Sequence, residues 1–384
     1  MSIMTFQIPE KIVFGAGSIQ TAGAEISMLG KKALVVTGRN STRKSGALRL
    51  LEESLRNVSI GYCIFDDVNP DPDVGTVERG REIALKEKCD VVVALGGGSA
   101  MDAAKAIAML VTNAGSIADY EGAVPQKNSS LPLVAIPTTA GTGSEVTRYS
   151  VITDAERNIK MLLASPGMLP TVAILDPELT ITMPSHITAA TGFDALTHAV
   201  EAYISKKATP MSQMYSIEAI RRICRSITEA TYAAHNMKAR EDMLFGQMCA
   251  GIANNNSSVA LVHAMSRPMG AHYGISHGLA NAILLPAVMK YNAPSCSHRL
   301  AEIAEAMGIR TAGLSIRDRA YSVVDAIETL YNDSPLEKSL REINIPEKGL
   351  AVMAHDAFVN GSTLNNPRMP ESEEEVRELY KSVY

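Results

Sequence analysis

The chain has 384 residues, of which 46% are hydrophobic and 20% are charged, the composition of a soluble globular protein long enough for two domains. Its 36 basic and 41 acidic residues are mixed along the chain and leave a net charge of -5, which argues against nucleic acid or an anionic membrane surface as a partner. Five scattered cysteines without a CxxC pair, no signal-peptide pattern and no apolar run of about 18 residues predict a cytoplasmic protein.

In chain order, the first half alternates short β-branched runs with amphipathic segments, the pattern of βαβ units around a mostly parallel sheet. We predict strands at 31–38, 60–68, 90–98, 131–139 and 171–177, and helices at 43–57 and 74–88, the second with Asp73 as its N-cap. Beyond Pro184, long segments with apolar residues three and four apart predict an all-helical half, and the acidic ESEEEVRELY is predicted to be a solvated helix. The predicted domains are 1–183 and 184–384.

A glycine-rich turn follows the third predicted strand. In VVVALGGGSAMDAAKAIAML, residues 96–99 join that strand to a helix that begins near Ala100. Glycines let a backbone approach a diphosphate closely, and a helix N-terminus offers unpaired N–H groups to an anion. The alternative is a tight turn without a ligand. Asp102, in the first helical turn, can reach a ribose hydroxyl, which favours nucleotide binding.

A second turn of small residues, IPTTAGTGSE, follows the next predicted strand at 136–145. Ligands of open α/β sheets bind at the carboxyl ends of the strands. Five residues of this turn would face that edge and are further cofactor-binding candidates: Thr138, Thr139, Thr142, Gly143 and Ser144. Because GGGS follows the third strand instead of the first and does not match GxGxxG, we predict a nucleotide domain that differs from the common Rossmann type.

Metal-ligating residue types occur in the helical half. ATGFDALTHAVEAY places Asp194 and His198 four residues apart, on one face of a helix, and LVHAMSRPMGAHYGISHGLANAILL adds His263, His272 and His277. Each histidine alone is more often a core or surface residue than a ligand. Several imidazoles together with a carboxylate predict a divalent metal site that suits Fe(II), Zn(II) or Co(II), and the residue types do not choose among these ions.

Four motifs in this order, GGGSAMD, AIPTTAGTGSEVT, ATGFDALTHAVEAY and the block 263–285, resemble the iron-containing alcohol dehydrogenases. The similarity extends from FGAG at 14–17 to NNPR near the C-terminus. The family includes lactaldehyde:propanediol oxidoreductases, 1,3-propanediol dehydrogenases and butanol dehydrogenases. The resemblance implies a fold like that of dehydroquinate synthase, an α/β domain followed by an all-helical one, and a homodimer or larger homo-oligomer.

The resemblance also implies roles for individual residues. The metal ligands would be Asp194, His198, His263 and His277, with Fe(2+) the usual ion and Zn(2+) an alternative, and His272 would lie outside the ligand set. The pyrophosphate of NAD or NADP would be held by Gly97, Gly98 and Ser99, with Asp102, Thr138 and Thr139 in contact with the nucleotide and Lys160 beside its ribose.

The sequence departs from the family pattern at the predicted substrate site. Many relatives have a second histidine four residues after His263, which is suspected of relaying protons, but this chain has Arg267, which stays protonated. We predict that Arg267 binds an anionic group of the substrate; the alternative is a structural salt bridge to a neighbouring carboxylate. Asn254–Asn256 replace a stretch that is often apolar, and we predict that Asn254 contacts a polar substrate.

A third departure concerns the end of the first predicted strand. NAD-preferring relatives commonly have an acid where this chain has Gly38, and Arg39, Ser41, Arg43 and Lys44 lie close enough to receive a 2′-phosphate. We predict that NADP is used at least as well as NAD. The alternative is that these cations are ordinary solvated residues at the start of a helix.

The sequence therefore predicts a metal-dependent oxidoreductase that transfers a hydride between NAD(P) and a short alcohol or aldehyde, one that bears a carboxylate, sulfonate or phosphonate. A neutral-diol dehydrogenase is the first alternative. A lyase of the dehydroquinate synthase type would need a basic cluster, and apart from Arg267 the ligand segments show none. A nucleotide sensor without activity is a further alternative, against which the four candidate ligands argue.

Overall fold

The computed structural model describes residues 3–157 and 159–384. The chain divides into two compact units, Ile8–Thr182 and Met183–Tyr384, and the second also includes the N-terminal segment that ends at Gln7. The first unit contains all the described strands and the second is helical. This is the α/β plus all-α architecture that the sequence predicts.

The α/β unit contains eight strands and five α-helices among its described residues. The strands are Lys11–Phe14 (β1), Lys32–Gly38 (β2), Gly61–Val68 (β3), Val91–Gly96 (β4), Leu133–Pro137 (β5), Tyr149–Asp154 (β6), Ile159–Ala164 (β7) and Val172–Leu175 (β8). The helices are Ala22–Ser27 (α1), Ser41–Ser45 (α2), Ala47–Asn57 (α3), Val74–Glu87 (α4) and Gly98–Thr112 (α5).

Six strands form one parallel sheet in the order β1-β8-β5-β4-β2-β3. Alternate residues of a strand point to opposite faces, and β2 shows this directly. Leu34 and Val36 lie in one apolar core, whereas Ala33 and Val35 lie in the other. The near-continuous apolar run of such a strand follows from burial on both faces.

The structure confirms the five predicted strands as β2, β3, β4, β5 and β8. The sequence prediction missed β1, which has four residues at the sheet edge, and the antiparallel hairpin of β6 and β7. The predicted helix at 43–57 is interrupted at Gly46, whose φ of +84° separates α2 from α3. Asp73 caps α4 as predicted, since its Oδ1 accepts the N–H of Thr76 at 2.7 Å.

The helical unit contains eight α-helices among its described residues: Ser185–Ile204 (α6), Pro210–Tyr232 (α7), Met237–Asn255 (α8), Leu261–Tyr273 (α9), His277–Ala306 (α10), Ile316–Asn332 (α11), Leu350–Phe358 (α12) and Glu373–Ser382 (α13). Helix α13 is the predicted acidic helix, and it buries Val376 and Tyr380. Across 3–157 and 159–384, no helix combines the length and apolarity needed to cross a bilayer.

Candidate active site

The turn after β4 presents backbone in place of side chains. Gly96 has a φ of +152°, and an added Cβ would lie 2.8 Å from Ala100 Cβ, so a larger residue would be strained. Helix α5 begins with Gly98 and Ser99, and its N-cap, Gly97, provides no side-chain hydrogen bond to it. The first N–H groups of α5 therefore suit an anion such as a diphosphate.

The two predicted nucleotide-binding turns adjoin. A Cβ added to Gly97 would lie 3.4 Å from the Thr139 side chain, and one added to Gly98 would lie 2.9 Å from Thr142 Cγ2. Thr138 directly follows β5, which pairs with β4 in parallel, so both turns leave the same sheet edge. A Cβ at position 98 would crowd Thr142, whereas one at position 97 would be in ordinary contact with Thr139, so the close approach of the two segments favours glycine at position 98.

Asp102 belongs to a hydrogen-bonded network behind these turns. Ser144 Oγ lies 3.1 Å from Asp102 Oδ1 and 2.8 Å from the Nζ of Lys105, which also donates to Thr147 Oγ1 and to the Tyr149 carbonyl. Burial raises the pKa of Asp102 to about 6 and lowers the pKa of Lys105 to about 8. Lys105, which the sequence analysis did not select, ties α5 to the second turn.

Three guanidinium groups and two carboxylates surround the end of β2 at Gly38. The ion pairs are Arg39–Asp67, Arg79–Asp67 and Arg43–Asp66. Arg39 and Arg43, which the sequence analysis offers as partners for a 2′-phosphate, are therefore already paired with carboxylates. Arg79 is a further cation at this place that the sequence analysis did not name. Lys160, on β7, pairs with Asp71 at 2.7 Å, and its predicted position beside the ribose stays a prediction.

In the helical unit, α6 carries three ionisable residues on one buried face. Asp194, His198 and Glu201 are spaced by four and three residues, which is one helical turn at each step. Glu201 is completely buried. His263, the third residue of α9, and His277, the first residue of α10, approach the same face.

The ligand atoms of these residues converge. Asp194 Oδ1 lies 3.6 Å from His277 Nε2 and 3.8 Å from His263 Nε2, and these three residues form one possible metal-binding group. His198 adjoins it, with Nε2 3.1 Å from His263 Nε2 and Nδ1 3.7 Å from Asp194 Oδ1. Atoms bound to one ion at 2.0–2.2 Å lie about 3–3.5 Å apart, so small adjustments suffice for a shared ion. The His277 side chain is 44% exposed, which leaves this side open.

The hydrogen bonding of the cluster fits a cation. Asn281 Nδ2 donates to Asp194 Oδ1 at 2.8 Å and lies 3.3 Å from the Nε2 atoms of both His263 and His277. Asn281 Oδ1 and His198 Nδ1 are buried without a partner among the described residues. Ligand atoms of Asp194, His263 and His277 lie within 4.8 Å of one another around the Asn281 amide, and this mixed set of one oxygen and two nitrogen atoms suits Fe(II) or Zn(II).

Two of the four candidate ligands, His198 and Asp194, are held in protonation states that bind metal. Burial lowers the pKa of His263, but the neighbouring carboxylates of Asp194 and Glu201 outweigh burial and raise that pKa. Burial lowers the pKa of His198 to about 4, so this ring is neutral near neutral pH. Burial raises the pKa of Asp194, but the neighbouring rings of His198, His277 and His263 outweigh burial and hold that pKa well below its usual range. A neutral imidazole and an ionised carboxylate are both metal ligands.

Arg267 lies one helical turn beyond His263 and is largely enclosed. Its Nη1 donates to Asn360 Oδ1 and Ser362 Oγ, both at 3.2 Å, and both acceptors are neutral. In the part of the chain that the structure describes, no carboxylate lies within 4.0 Å of this guanidinium group. Burial lowers the pKa of Arg267. The salt bridge that the sequence leaves as an alternative is thus not observed.

The asparagines before α9 have different surroundings. The side-chain amides of Asn255 and Asn256 donate to the Gln7 carbonyl at 2.9 and 2.8 Å, so these two residues hold the N-terminal segment. Asn254 is buried on α8, and its predicted contact with substrate stays a prediction. His272 pairs with Asp356 at the surface, outside the metal-binding group.

Comparisons with known proteins identify the family of this chain. Residues 9–177 match the family model "Iron-containing alcohol dehydrogenase", and residues 188–384 match "Fe-containing alcohol dehydrogenase family, C-terminal". The chain belongs to the iron-containing alcohol dehydrogenase family. It is an oxidoreductase, and membership of this family implies iron, NAD(H) and a small alcohol substrate.

Individual relatives of this iron-containing alcohol dehydrogenase cover its whole length. The 1,3-propanediol dehydrogenase of Citrobacter freundii is 40% identical over 99% of this chain and 98% of its own. A solved 1,3-propanediol oxidoreductase superposes with a TM-score of 0.97 at 39% identity, covering 100% of both chains. The sulfoacetaldehyde reductase of Bifidobacterium kashiwanohense, solved in complex with NAD+, gives 0.89 at 32% identity and covers 100% of this chain and 99% of its own.

Glu201 and Asn281 are the parts of this cluster that the sequence analysis missed. Glu201 continues the Asp194 and His198 face by one more turn, so helical spacing could have identified it. Asn281 is four residues after His277 on the same helix, but an asparagine in an apolar helix has no specific chemical signature. Its relevance emerges only when α6 and α10 are packed together.

Proposed function

We propose that this enzyme interconverts a short alcohol and aldehyde that carry an anionic group, with Arg267 as the residue that binds that group. The observation that supports this is a largely enclosed guanidinium group, one turn from His263, whose described acceptors are neutral. A carboxylate, sulfonate or phosphonate would provide the charge-assisted, bidentate partner that Arg267 otherwise lacks.

The charges of the cluster support the same conclusion. Asp194 and Glu201 contribute two negative charges, whereas Arg267 and one divalent ion would contribute three positive charges. The excess positive charge is unfavourable in a partly enclosed site unless an anion enters. The name of the sulfoacetaldehyde reductase relative indicates an aldehyde that bears a sulfonate, which gives a precedent for such a substrate in a protein of this fold.

We propose Asp194, His198, His263 and His277 as the residues that hold the metal, with Fe(2+) the resident ion and Zn(2+) an alternative. A bound divalent ion would supply Lewis-acid polarisation of the substrate oxygen. The protein keeps His198 neutral through burial and offers the exposed side of His277 as the approach for substrate. Arg267 orients the substrate but does not act as a base, because it stays protonated.

For the cofactor, we propose that Gly97, Gly98 and Ser99 bind the pyrophosphate and that Asp102, Thr138, Thr139, Thr142, Ser144 and Lys160 line the remaining nucleotide site. NADP(H) use is proposed because three guanidinium groups share two carboxylates beside Gly38, which leaves one cation in excess for a 2′-phosphate. The existing ion pairs oppose this preference, so its size is an experimental question that Gly38→Asp addresses.

We also propose a cytoplasmic homodimer or larger homo-oligomer. Five free thiols fit a reducing compartment. Ile3, Met4 and Met214 expose large apolar side chains on the helical unit, as a surface that contacts another copy would. Light scattering coupled to size exclusion tests the assembly state.

A neutral diol is the second candidate substrate, favoured by the names of the two propanediol relatives. The test is steady-state absorbance of reduced nicotinamide with matched aldehydes: one with a terminal sulfonate against its methyl sulfone, and one with a terminal carboxylate against its primary amide. The proposal expects a higher kcat/KM for both anionic members. Equal or lower values would assign the enzyme to neutral alcohols.

A further inference from the structure

Glu201 lies behind the metal-binding group and uses both carboxylate oxygens. Its Oε2 is 2.7 Å from His263 Nδ1 and accepts the backbone N–H of Ala260 at 2.8 Å, while Oε1 accepts the N–H of Val262 at 2.6 Å. The side chain is completely buried, so water does not compete for these contacts. A buried carboxylate that meets three donors is firmly fixed in position.

The contact with His263 selects the form of the imidazole ring. A neutral histidine carries one N–H, and a carboxylate oxygen can only accept, so the proton resides on Nδ1. Nε2 then has a free lone pair, and this is the atom that lies 3.8 Å from Asp194 Oδ1 and 3.1 Å from His198 Nε2. Without Glu201, the ring could place its proton on Nε2 and lose its ability to bind a metal.

The backbone contacts of Glu201 also affect His263, because they fix the position of the helix that carries it. Helix α9 begins at Leu261 and has no side-chain cap from its own N-cap residue, Ala260. Glu201, on α6, supplies an acceptor to the N–H of Ala260 and to the N–H of Val262, the second residue of α9. One carboxylate thereby fixes α9 against α6, which carries Asp194 and His198.

From this geometry we propose that Glu201 is a positioning residue for the metal centre: it fixes the tautomer and the place of His263 and thereby sets the affinity for the divalent ion. The proposal rests on the assignment of Asp194, His198, His263 and His277 as the metal-binding residues. It assigns no contact between Glu201 and substrate or cofactor.

The test compares Glu201→Gln with Asp176→Asn in the full-length protein. Asp176 is also completely buried and accepts three backbone N–H groups, from Gly17, Ile19 and Glu178, but it contacts none of the four proposed ligands. Metal is removed with a chelator, and Co(II) and Zn(II) affinities are measured by competition. The Co(II) absorption spectrum reports the ligand geometry, and the melting temperature of each metal-free protein reports stability.

We expect Glu201→Gln to weaken metal binding by about 10–100-fold and to alter the Co(II) spectrum. The neutral amide has a single acceptor oxygen, so if that oxygen faces His263 and Ala260, the NH2 group meets the N–H of Val262 and the charge that holds the His263 ring is lost. Asp176→Asn should lose stability but keep the wild-type metal affinity and spectrum. If Glu201→Gln lowers the melting temperature while affinity and spectrum stay unchanged, Glu201 is only a helix cap and the proposal is wrong.

A measurement on the wild type covers the case in which Glu201→Gln does not fold. Nitrogen-15 NMR of histidine-labelled, metal-free protein at alkaline pH should show His263 with its proton on Nδ1; a proton on Nε2 would overturn the proposal. A wild type that binds no divalent ion would contradict the assignment of the four metal ligands. A wild type and a Glu201→Gln variant that bind the ion equally well would contradict only the role proposed for Glu201.

Discussion

The contact between α6 and α10 offers a sharp test of how packing controls the metal centre. Gly278 follows His277, and a Cβ added to Gly278 would lie 2.3 Å from the backbone oxygen of Ala190, one turn before Asp194. Backbone cannot move aside as a flexible side chain can. Gly278→Ala must therefore separate the two helices by about 1 Å to reach ordinary contact distances.

The expected cost follows from this displacement. Overpacking of a well-packed core costs about 1–3 kcal/mol, which for a unit of this size lowers the melting temperature by roughly 2–12 °C. The same movement lengthens the 3.6 Å separation of Asp194 Oδ1 and His277 Nε2, so metal affinity should also fall. Calorimetry of the metal-free protein and chelator competition measure the two effects.

Gly75→Ala is the matched control, because Gly75 is the second residue of α4 as Gly278 is of α10. The nearest atoms to its added Cβ are the ends of side chains, at 3.4 Å or more. This change should keep or slightly increase stability, since alanine favours a helix by up to about 1 kcal/mol over glycine. The reasoning would be refuted if the Gly278→Ala protein had the same melting temperature and the same metal affinity as the Gly75→Ala protein.

Three further predictions concern substrate and cofactor. Arg267→Met should lower kcat/KM for an anionic aldehyde by about 10–150-fold, equivalent to about 1.5–3 kcal/mol, with little effect on kcat/KM for its neutral isostere. Arg267→Lys should retain part of the kcat/KM for the anionic aldehyde, and equal losses for both aldehydes would contradict the role of Arg267. Burial raises the pKa of Asp102 to about 6, and the ionised carboxylate is the stronger acceptor for a ribose hydroxyl, so the Kd for NADH should rise as the pH falls through that value and then level off. Asp102→Asn should show a flat profile, and a flat wild-type profile from about pH 8 to 5 would count against the role. Gly38→Asp should shift preference toward NAD(H), whereas a wild type that already favours NADH by more than about tenfold, or roughly 1.4 kcal/mol, contradicts NADP(H) use.

The sequence predicted those features that follow from local periodicity. Asp194 and His198 were placed on one face because helical spacing alone puts them there, and the glycine turn was found because strand, glycines and helix are contiguous in the chain. The short edge strand β1 was missed because four residues show little periodicity, and the hairpin of β6 and β7 was missed because it lies outside the parallel sheet.

Features that depend on distant partners were beyond sequence reasoning. Arg39 and Arg43 were recognised as cations, but their carboxylate partners lie on β3, which reaches them only through the pairing of β2 with β3. The neutral acceptors of Arg267 are 93 and 95 residues away from it in the chain. Packing of helices remote in sequence determines such contacts, and local patterns do not encode them.

The central claim is that the cluster of Asp194, His198, His263 and His277 binds one divalent metal on which nicotinamide-dependent turnover depends. The most direct measurement compares the wild type with Asp194→Ala, both purified without air and supplied with Fe(II). For each protein, the metal content per chain and the steady-state oxidation of reduced nicotinamide with short aldehydes are determined. We expect the wild type to bind one metal ion per chain and to turn over the aldehyde, and we expect Asp194→Ala to do neither. Full activity in metal-free wild type, or a variant that keeps both metal and turnover, would contradict the account.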